Sequence, residues 1–366
     1  MFIFEIRKIL KEKSFYFLLA LFFLMLLSPV FSRDTLNDQF QAVQLKSVLK
    51  QNKENINQLA DTPEASTLVK DLKEVNHRLE SMLEAIEQGD KEALVKTEYE
   101  LEMKNLEDTL SGKLYGRPLV EQEKTVKELH FLIENQITQV DYNKTKMPGL
   151  NYLHMTVSYG LPYTFFFIFI GLIISGIMTL EKRKYTISFY NVLPVSPLKK
   201  MFIKIASGFI YTFLGTLFLF VIVFLIFSAF EGTGSLDYPV GIITNNGEAE
   251  LITLSVYLLR IFVLFSLWLL FFSCLSFLIS LFTGNSAVNM SMLFFLILGA
   301  EFSPFKNDFL ITSHVNFPNI VVGGSGYTEP IGTTISFPFS AGIILSYCLA
   351  ILLVSYFVLK RKRWVF

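Results

Sequence analysis

The chain alternates between long apolar runs and a single long polar stretch. Apolar residues dominate Phe15 to Phe31, Met155 to Leu180, Phe202 to Phe230, Leu251 to Phe282, Ala287 to Phe302 and Phe337 to Leu359. A hydrocarbon core about 30 Å thick takes about 20 apolar residues of helix, so these segments predict six spans. The fifth is the shortest, and Gly284 and Asn285 before it predict a tight turn at the membrane face. The polar stretch, residues 32–150, repeats at helical spacing: Leu68, Leu72, Val75, Leu79, Leu83; Leu94, Leu101; and Val126, Leu129, Ile133, Ile137. Thr62-Pro63-Glu64 reads as a helix start and Gly89-Asp90 as a stop followed by a cap. Gly112 and Gly116-Arg117-Pro118 mark the turn before the last helix. About four helices in an antiparallel bundle follow. Residues 231–250, rich in Gly, Asn and Asp, read as an irregular loop. Residues 303–336 mix apolar triplets with Gly323-Gly324-Ser325-Gly326, as backbone does that dips toward a membrane or lines a cavity. The predicted fold class is therefore an all-α polytopic membrane protein, with six transmembrane helices and a large helical insert between the first and second.

Charge gives these spans a direction. Arg7, Lys8, Lys11 and Lys13 precede the first span, Lys182, Arg183, Lys184, Lys199, Lys200 and Lys204 cluster about the link between the second and third, and Lys360, Arg361, Lys362 and Arg363 follow the sixth. Six crossings put all three clusters on the cytoplasmic side, with both termini inside and the insert extracellular, as in a multi-pass cell-membrane protein. Residues 1–14 place Phe2, Ile3, Ile6, Ile9 and Leu10 on one side of a helix and Arg7, Lys8 and Lys11 on another, the pattern of an interfacial helix. Cleavage as a signal peptide is the competing reading of this start. The bulky core of 15–31, long enough to span, weighs against it. The insert from Asp34 to Leu150 carries 22 acids and 15 bases. It is read either as a spacer or as a surface for a ligand or partner.

Composition narrows the chemistry. Of 366 residues 52% are hydrophobic, with 38 Phe, and Lys plus Arg balances Asp plus Glu at 32 each, which gives nucleic acid no electrostatic footprint. No phosphate-cradling loop is present, since Gly112-Lys113 is followed by Leu114. His77, His130, His154 and His314 lack metal spacing, and Ser325 lacks the nucleophile-elbow pattern. Glu98, Glu100 and Glu102 read as a solvated face, and Cys274 and Cys348, inside apolar runs, as packing residues. No catalytic or metal residue and no cofactor is expected in this chain. Arg260 and Glu301, within the fourth and fifth spans, form a candidate intramembrane charge pair near the outer end, with snorkelling of Arg260 as the alternative.

The link at 181–201 is the most informative segment. It starts with Glu181, Lys182, Arg183 and Lys184, continues through Thr186, Ile187, Tyr190 and Leu193 at amphipathic spacing, and turns at Pro194-Val195-Ser196 before Pro197. This run resembles the segment after the second span of ABC-2-type transporter permeases, the membrane subunits of ABC exporters. Three positions depart from the family pattern: Arg183 stands where an acid is common, Tyr185 where glycine is common and Ser188 where glutamate is common. The resemblance implies a permease subunit that forms half of a translocation pathway and is not itself an enzyme. It implies a second permease copy, homo- or heterodimeric, and a separate ABC ATPase holding ATP and magnesium, engaged by the residues just named. An exporter lacking its own nucleotide site needs such a short, stiff element to receive mechanical work. The alternative is a non-transporting membrane sensor or assembly factor that binds a ligand or protein through its outer bundle.

Overall fold

The computed structural model describes residues 2–31, 38–59, 66–113, 117–137, 146–186, 194–302, 307–324 and 335–361, without the side chains of 38–41, 67 and 300–302. The expected helix start at Thr62-Pro63-Glu64, Gly116, Ile187, Tyr190, Leu193, Lys362 and Arg363 lie outside the described residues.

Two helices open the chain, α1 (Phe2–Leu10) and α2 (Lys13–Phe31). The insert supplies α3 (Asp38–Leu59), α4 (Ser66–Gln88), α5 (Lys91–Leu110) and α6 (Leu119–Glu134). The membrane part continues with α7 (Gly149–Met155), α8 (Tyr163–Met178), the single turn α9 (Leu180–Arg183) and the long α10 (Pro197–Glu231). A β-hairpin, β1 (Pro239–Ile243) and β2 (Ala249–Thr253), leads into α11 (Leu254–Phe282), α12 (Ser286–Phe302), the short α13 (Phe317–Val322) and α14 (Phe337–Arg361).

Four of these, α2, α10, α11 and α14, are long and apolar enough to cross a membrane, and a fifth is reached if α7 and α8 count as one span. Helix α12 is shorter, at 17 residues. The expected continuous span from Met155 to Leu180 is not formed. Helix α7 passes through a π-helical turn at Thr156–Gly160 and then bends by 95° into α8. Pro162 caps α8 with extended backbone, and Gly160 packs on the Met155 side chain, so the break falls at a Gly-x-Pro step.

Directions alternate over the last three long helices. Arg260 meets Phe337 and Phe271 meets Tyr347, so α11 and α14 run parallel. Asn289 Nδ2 donates to the Ser276 carbonyl at 2.9 Å, so α11 and α12 form an antiparallel pair. The core between them is aromatic: Trp268 packs on Phe167, Phe271 and Phe272, and Phe167 also meets Phe317. Residues 307–324 insert into this core, with Ile311, Val315, Phe317, Ile320 and Val321 all buried. Their polar groups are satisfied within it. Trp268 Nε1 donates to the His314 carbonyl at 3.0 Å, and the His314 ring bridges Ser340 Oγ at 3.0 Å and the Asp308 carbonyl at 2.8 Å.

Residues 239–253, expected as irregular loop running into the fourth span, form an antiparallel ladder from Pro239 opposite Thr253 to Ile243 opposite Ala249. Helix α6 docks on it: Gly241 N donates to Glu128 Oε1 at 2.5 Å, and Lys127 Nζ donates to the Ala249 carbonyl at 2.7 Å. A Cβ on Gly241 would lie 2.1 Å from Lys124 Cγ, so only glycine lets α6 approach this closely.

The insert has the four expected helices, in a serial rather than closed arrangement. The principal pairings are α3 with α4, α4 with α5, and α5 with α6. Ion pairs Lys46–Glu87 and Lys53–Glu80 set the first as antiparallel. Asp90 caps α5 by accepting from Glu92 N and Ala93 N, as its position after Gly89 predicts. The solvated face expected at Glu98 is corrected by α6, which covers it. Burial, then the neighbouring Glu102, push the Glu98 carboxyl up to about 8, against a pull downward from Arg117. An acid with a raised native pKa holds a proton that the unfolded chain has lost, so the insert loses stability as pH rises from about 4.5 to about 8. Glu98→Gln is expected to remove that slope and raise the melting temperature at pH 8 more than at pH 5, measured by thermal unfolding at the two pH values.

Candidate functional site

At the end of the bundle opposite the hairpin, three elements meet on a buried set of charges. Helix α1 lies against the foot of α10, with Ile9 packed among Phe15, Ile173, Ile177 and Tyr211, and Ile6 beside them. This divides the apolar side expected for residues 1–14. Ile6 and Ile9 face the protein, while Ile3, Phe4 and Leu10 stay exposed. One helical turn of register then carries Glu5 inward beside Ile9, where it is fully buried.

Glu5 enters a four-membered network. Lys204 Nζ, projecting from α10, lies 2.5 Å from Glu181 Oε1 and 3.5 Å from Glu5 Oε2. Lys8 Nζ lies 2.8 Å from Glu5 Oε2 and also contacts Glu181. Two carboxylates and two ammonium groups cancel in charge, which is the condition for holding ions away from water. Burial raises the Glu181 carboxyl pKa, but Lys204 and Lys8 together outweigh it and hold that pKa below the ordinary carboxylate range. A second contact lies beside the first: Glu12 receives Lys184, and Arg183 Nη2 stands 3.9 Å from Glu12 Oε1.

Local sequence explains why α9 presents these side chains. Its C-terminus closes as a Schellman motif, with Thr186 N bonded to the Glu181 carbonyl at 2.9 Å and Tyr185 N to the Lys182 carbonyl at 3.3 Å. Tyr185 takes φ +56°, the left-handed conformation that glycine adopts most readily. Lys182 turns the other way and donates to the Ser280 carbonyl at 2.7 Å near the C-terminus of α11, over Gly284. The link is thus tied to α1, α10 and the turn between α11 and α12 together.

Beyond it, Pro194 is exposed and Val195 half-buried, while Ser196 caps α10 by accepting from Lys199 N, with Pro197 as its first residue. Helix α10 therefore starts five residues before the expected third span. Ile187, Tyr190 and Leu193 were named with these residues but fall outside the described part of the chain. The Arg260 guanidinium lies over the Phe337 ring at 5.7 Å, and the side chain of Glu301 is outside the described residues.

Sequence reasoning passed over Glu5 and Glu12, treated Lys204 only as a topology marker, and read Lys8 as that and as part of the polar face of the interfacial helix. Their signal was present: Glu5 and Glu12 are the only acids in an otherwise basic start, and Lys204 falls several residues inside a helix. Among the described residues no group of His, Cys, Asp and Glu is placed to hold a metal ion. The arrangement is a buried, charge-balanced contact among α1, α9 and α10.

A family model described as an ABC-2 family transporter protein matches residues 13–321. No curated protein matches the chain. No solved structure matches it.

Proposed function

The chain belongs to the ABC-2 transporter family, and from that membership and the buried charge network we propose that it is the permease subunit of an ATP-driven exporter, coupled to a separate ATPase through residues 181–201. The family makes it a membrane transport component. The observation that carries the coupling is the junction of Glu5, Lys8, Glu181 and Lys204, because it fastens the link to α1 and to α10, the longest helix of the bundle. A push on the link reaches α1 through Glu5 and Glu12, α10 directly through Pro197, and α11 through Lys182. Helix α10 has 35 residues and would extend roughly 50 Å at 1.5 Å per residue, enough to carry a tilt from this end to the hairpin.

In this reading α2, α8, α10, α11, α12 and α14 are six crossings, the termini and the link face the cytoplasm, and the insert stands outside. Two such subunits enclose the pathway, and ATP with magnesium sits on the partner ATPases. Arg260 and Glu301 are proposed to pair near the outer gate, with Phe337 covering the guanidinium.

Purification from native membranes through a C-terminal tag tests the coupling. The expected result is a stoichiometric ATPase in the mass spectrum of the wild type that is lost from Pro194→Asp. Absence of any ATPase under conditions that preserve membrane complexes would set the coupling aside and favour a sensor built on the insert.

A further inference from the structure

Away from the charge network, α7, α8, α10, α11 and α13 leave an apolar pocket of about 180 Å³ between them. Four rings form an interlocking set on it: Phe166 stacks on Phe220 at 6.3 Å, Phe220 meets Phe265 at 6.3 Å, Phe265 meets Phe317 at 6.2 Å, and Phe317 meets Phe166 at 6.5 Å. Phe213 and Phe262 pair edge to face at 5.2 Å between α10 and α11. Phe262 is 40% exposed while its neighbours Ile261 and Phe265 are buried, so the pocket reaches the outer surface of the bundle there.

The lining decides what can enter. Thr216 is its one polar side chain, and its hydroxyl is already engaged with the Thr212 and Phe213 carbonyls at 2.9 and 3.0 Å. A polar ligand would find no free donor there, only the acceptor lone pairs of Thr216, and would forfeit most of its hydration. Water is no better served: apolar cavities of about 150 Å³ stay dry and accept hydrocarbon. The surface around the mouth is itself apolar, with Leu214, Phe218 and Leu259 exposed on the same two helices. In a membrane-embedded chain that surface faces lipid, so the medium at the mouth is hydrocarbon chain.

We propose that this pocket seats the terminal segment of one acyl chain of a bilayer phospholipid, entered from the side between α10 and α11, with the rest of that chain and the headgroup remaining outside. The inference rests on the membrane-spanning reading of α10 and α11 and is independent of the ATPase coupling. An occupied pocket would wedge α10 and α11 against the inserted Phe317.

Native mass spectrometry of the full chain, extracted with its lipids and then exchanged into detergent, tests it. Wild type and Phe218→Trp, a change on the lipid-facing side of α10, are expected to keep one phospholipid per chain. Leu217→Trp, which fills the pocket, is expected to lower that occupancy at least tenfold. No retained phospholipid in the wild type, or equal retention in Leu217→Trp, overturns the proposal. A phospholipid with a photoreactive acyl terminus, reconstituted with wild-type chain, decides the matter if Leu217→Trp does not fold. Adducts concentrated on Phe213, Leu217 and Phe262 sustain the seat, and adducts spread evenly over Leu214, Phe218 and Leu259 overturn it. A failed lipid result with an intact ATPase complex would leave the permease reading standing.

Discussion

Replacing Lys204 by methionine is expected to release α1 from the link. The substitution keeps the length of the side chain but leaves Glu181 and Glu5 buried with only Lys8 to balance them. Removing one partner of a buried ion pair costs about 3–5 kcal/mol, far more than the pair itself contributes, because the stranded charge cannot regain water. At about 1.4 kcal/mol per tenfold, the docked state loses a factor of roughly 10² to several times 10³. Hydrogen exchange of backbone amides 2–12 reads the release directly, and ATP hydrolysis stimulated by the chain should fall with it. The double variant Lys204→Met with Glu181→Gln leaves the Glu5–Lys8 pair balanced and is expected to restore most of the protection. Unchanged exchange in the single variant would mean that apolar packing of Ile9 alone holds α1. Because the Glu181 pKa is depressed in the folded chain, the contribution of Glu181 to the network is fully present above the unfolded value near 4.5 and is lost as pH falls through the lower folded value.

The second large effect belongs to Gly323, at the end of α13. Its φ is +81°, and a Cβ built there would lie 1.8 Å from the Ile243 carbonyl oxygen, a backbone atom that no rotamer change can move. Gly323→Ala therefore adds a left-handed penalty of about 1–2 kcal/mol to an overpacking cost of about 1–3 kcal/mol. The expected result is a lower melting temperature together with faster hydrogen exchange across 239–253, since the hairpin must give way to admit the methyl group. An alanine variant that melts like the wild type with an undisturbed hairpin would mean that α13 does not brace β1.

Most of the architecture was legible because lipid-facing helices must be apolar over a fixed length. The runs at 15–31, 202–230 and 337–359 each fall in an observed helix of that kind, and 251–282 does so from Leu254 onward, its first three residues closing β2. What escaped has physical causes. Hydropathy measures apolar length and not direction, so it joined the π turn at Thr156–Gly160 to α8 across a 95° bend. The hairpin escaped because strands of five residues containing Pro239 and Gly241 carry little period-two signal and owe their order to α6. Glu98 looked solvated because three alternate acids on one helix say nothing of the helix that covers one of them. At the candidate site, the link itself stood out through its turn and its charges. Glu5 and Glu12 did not, since an acid in a basic interfacial helix acquires meaning only once Lys204 and the Arg183–Lys184 pair are brought beside it.

The coupling claim is tested most directly by a photo-crosslinking residue placed in turn at Leu198, on the exposed foot of α10, and at Leu236, exposed beside the hairpin at its other end. Crosslinking in native membranes is expected to capture a nucleotide-hydrolysing subunit from Leu198 and none from Leu236. Capture from Leu236 alone, or no such subunit from Leu198, would contradict it.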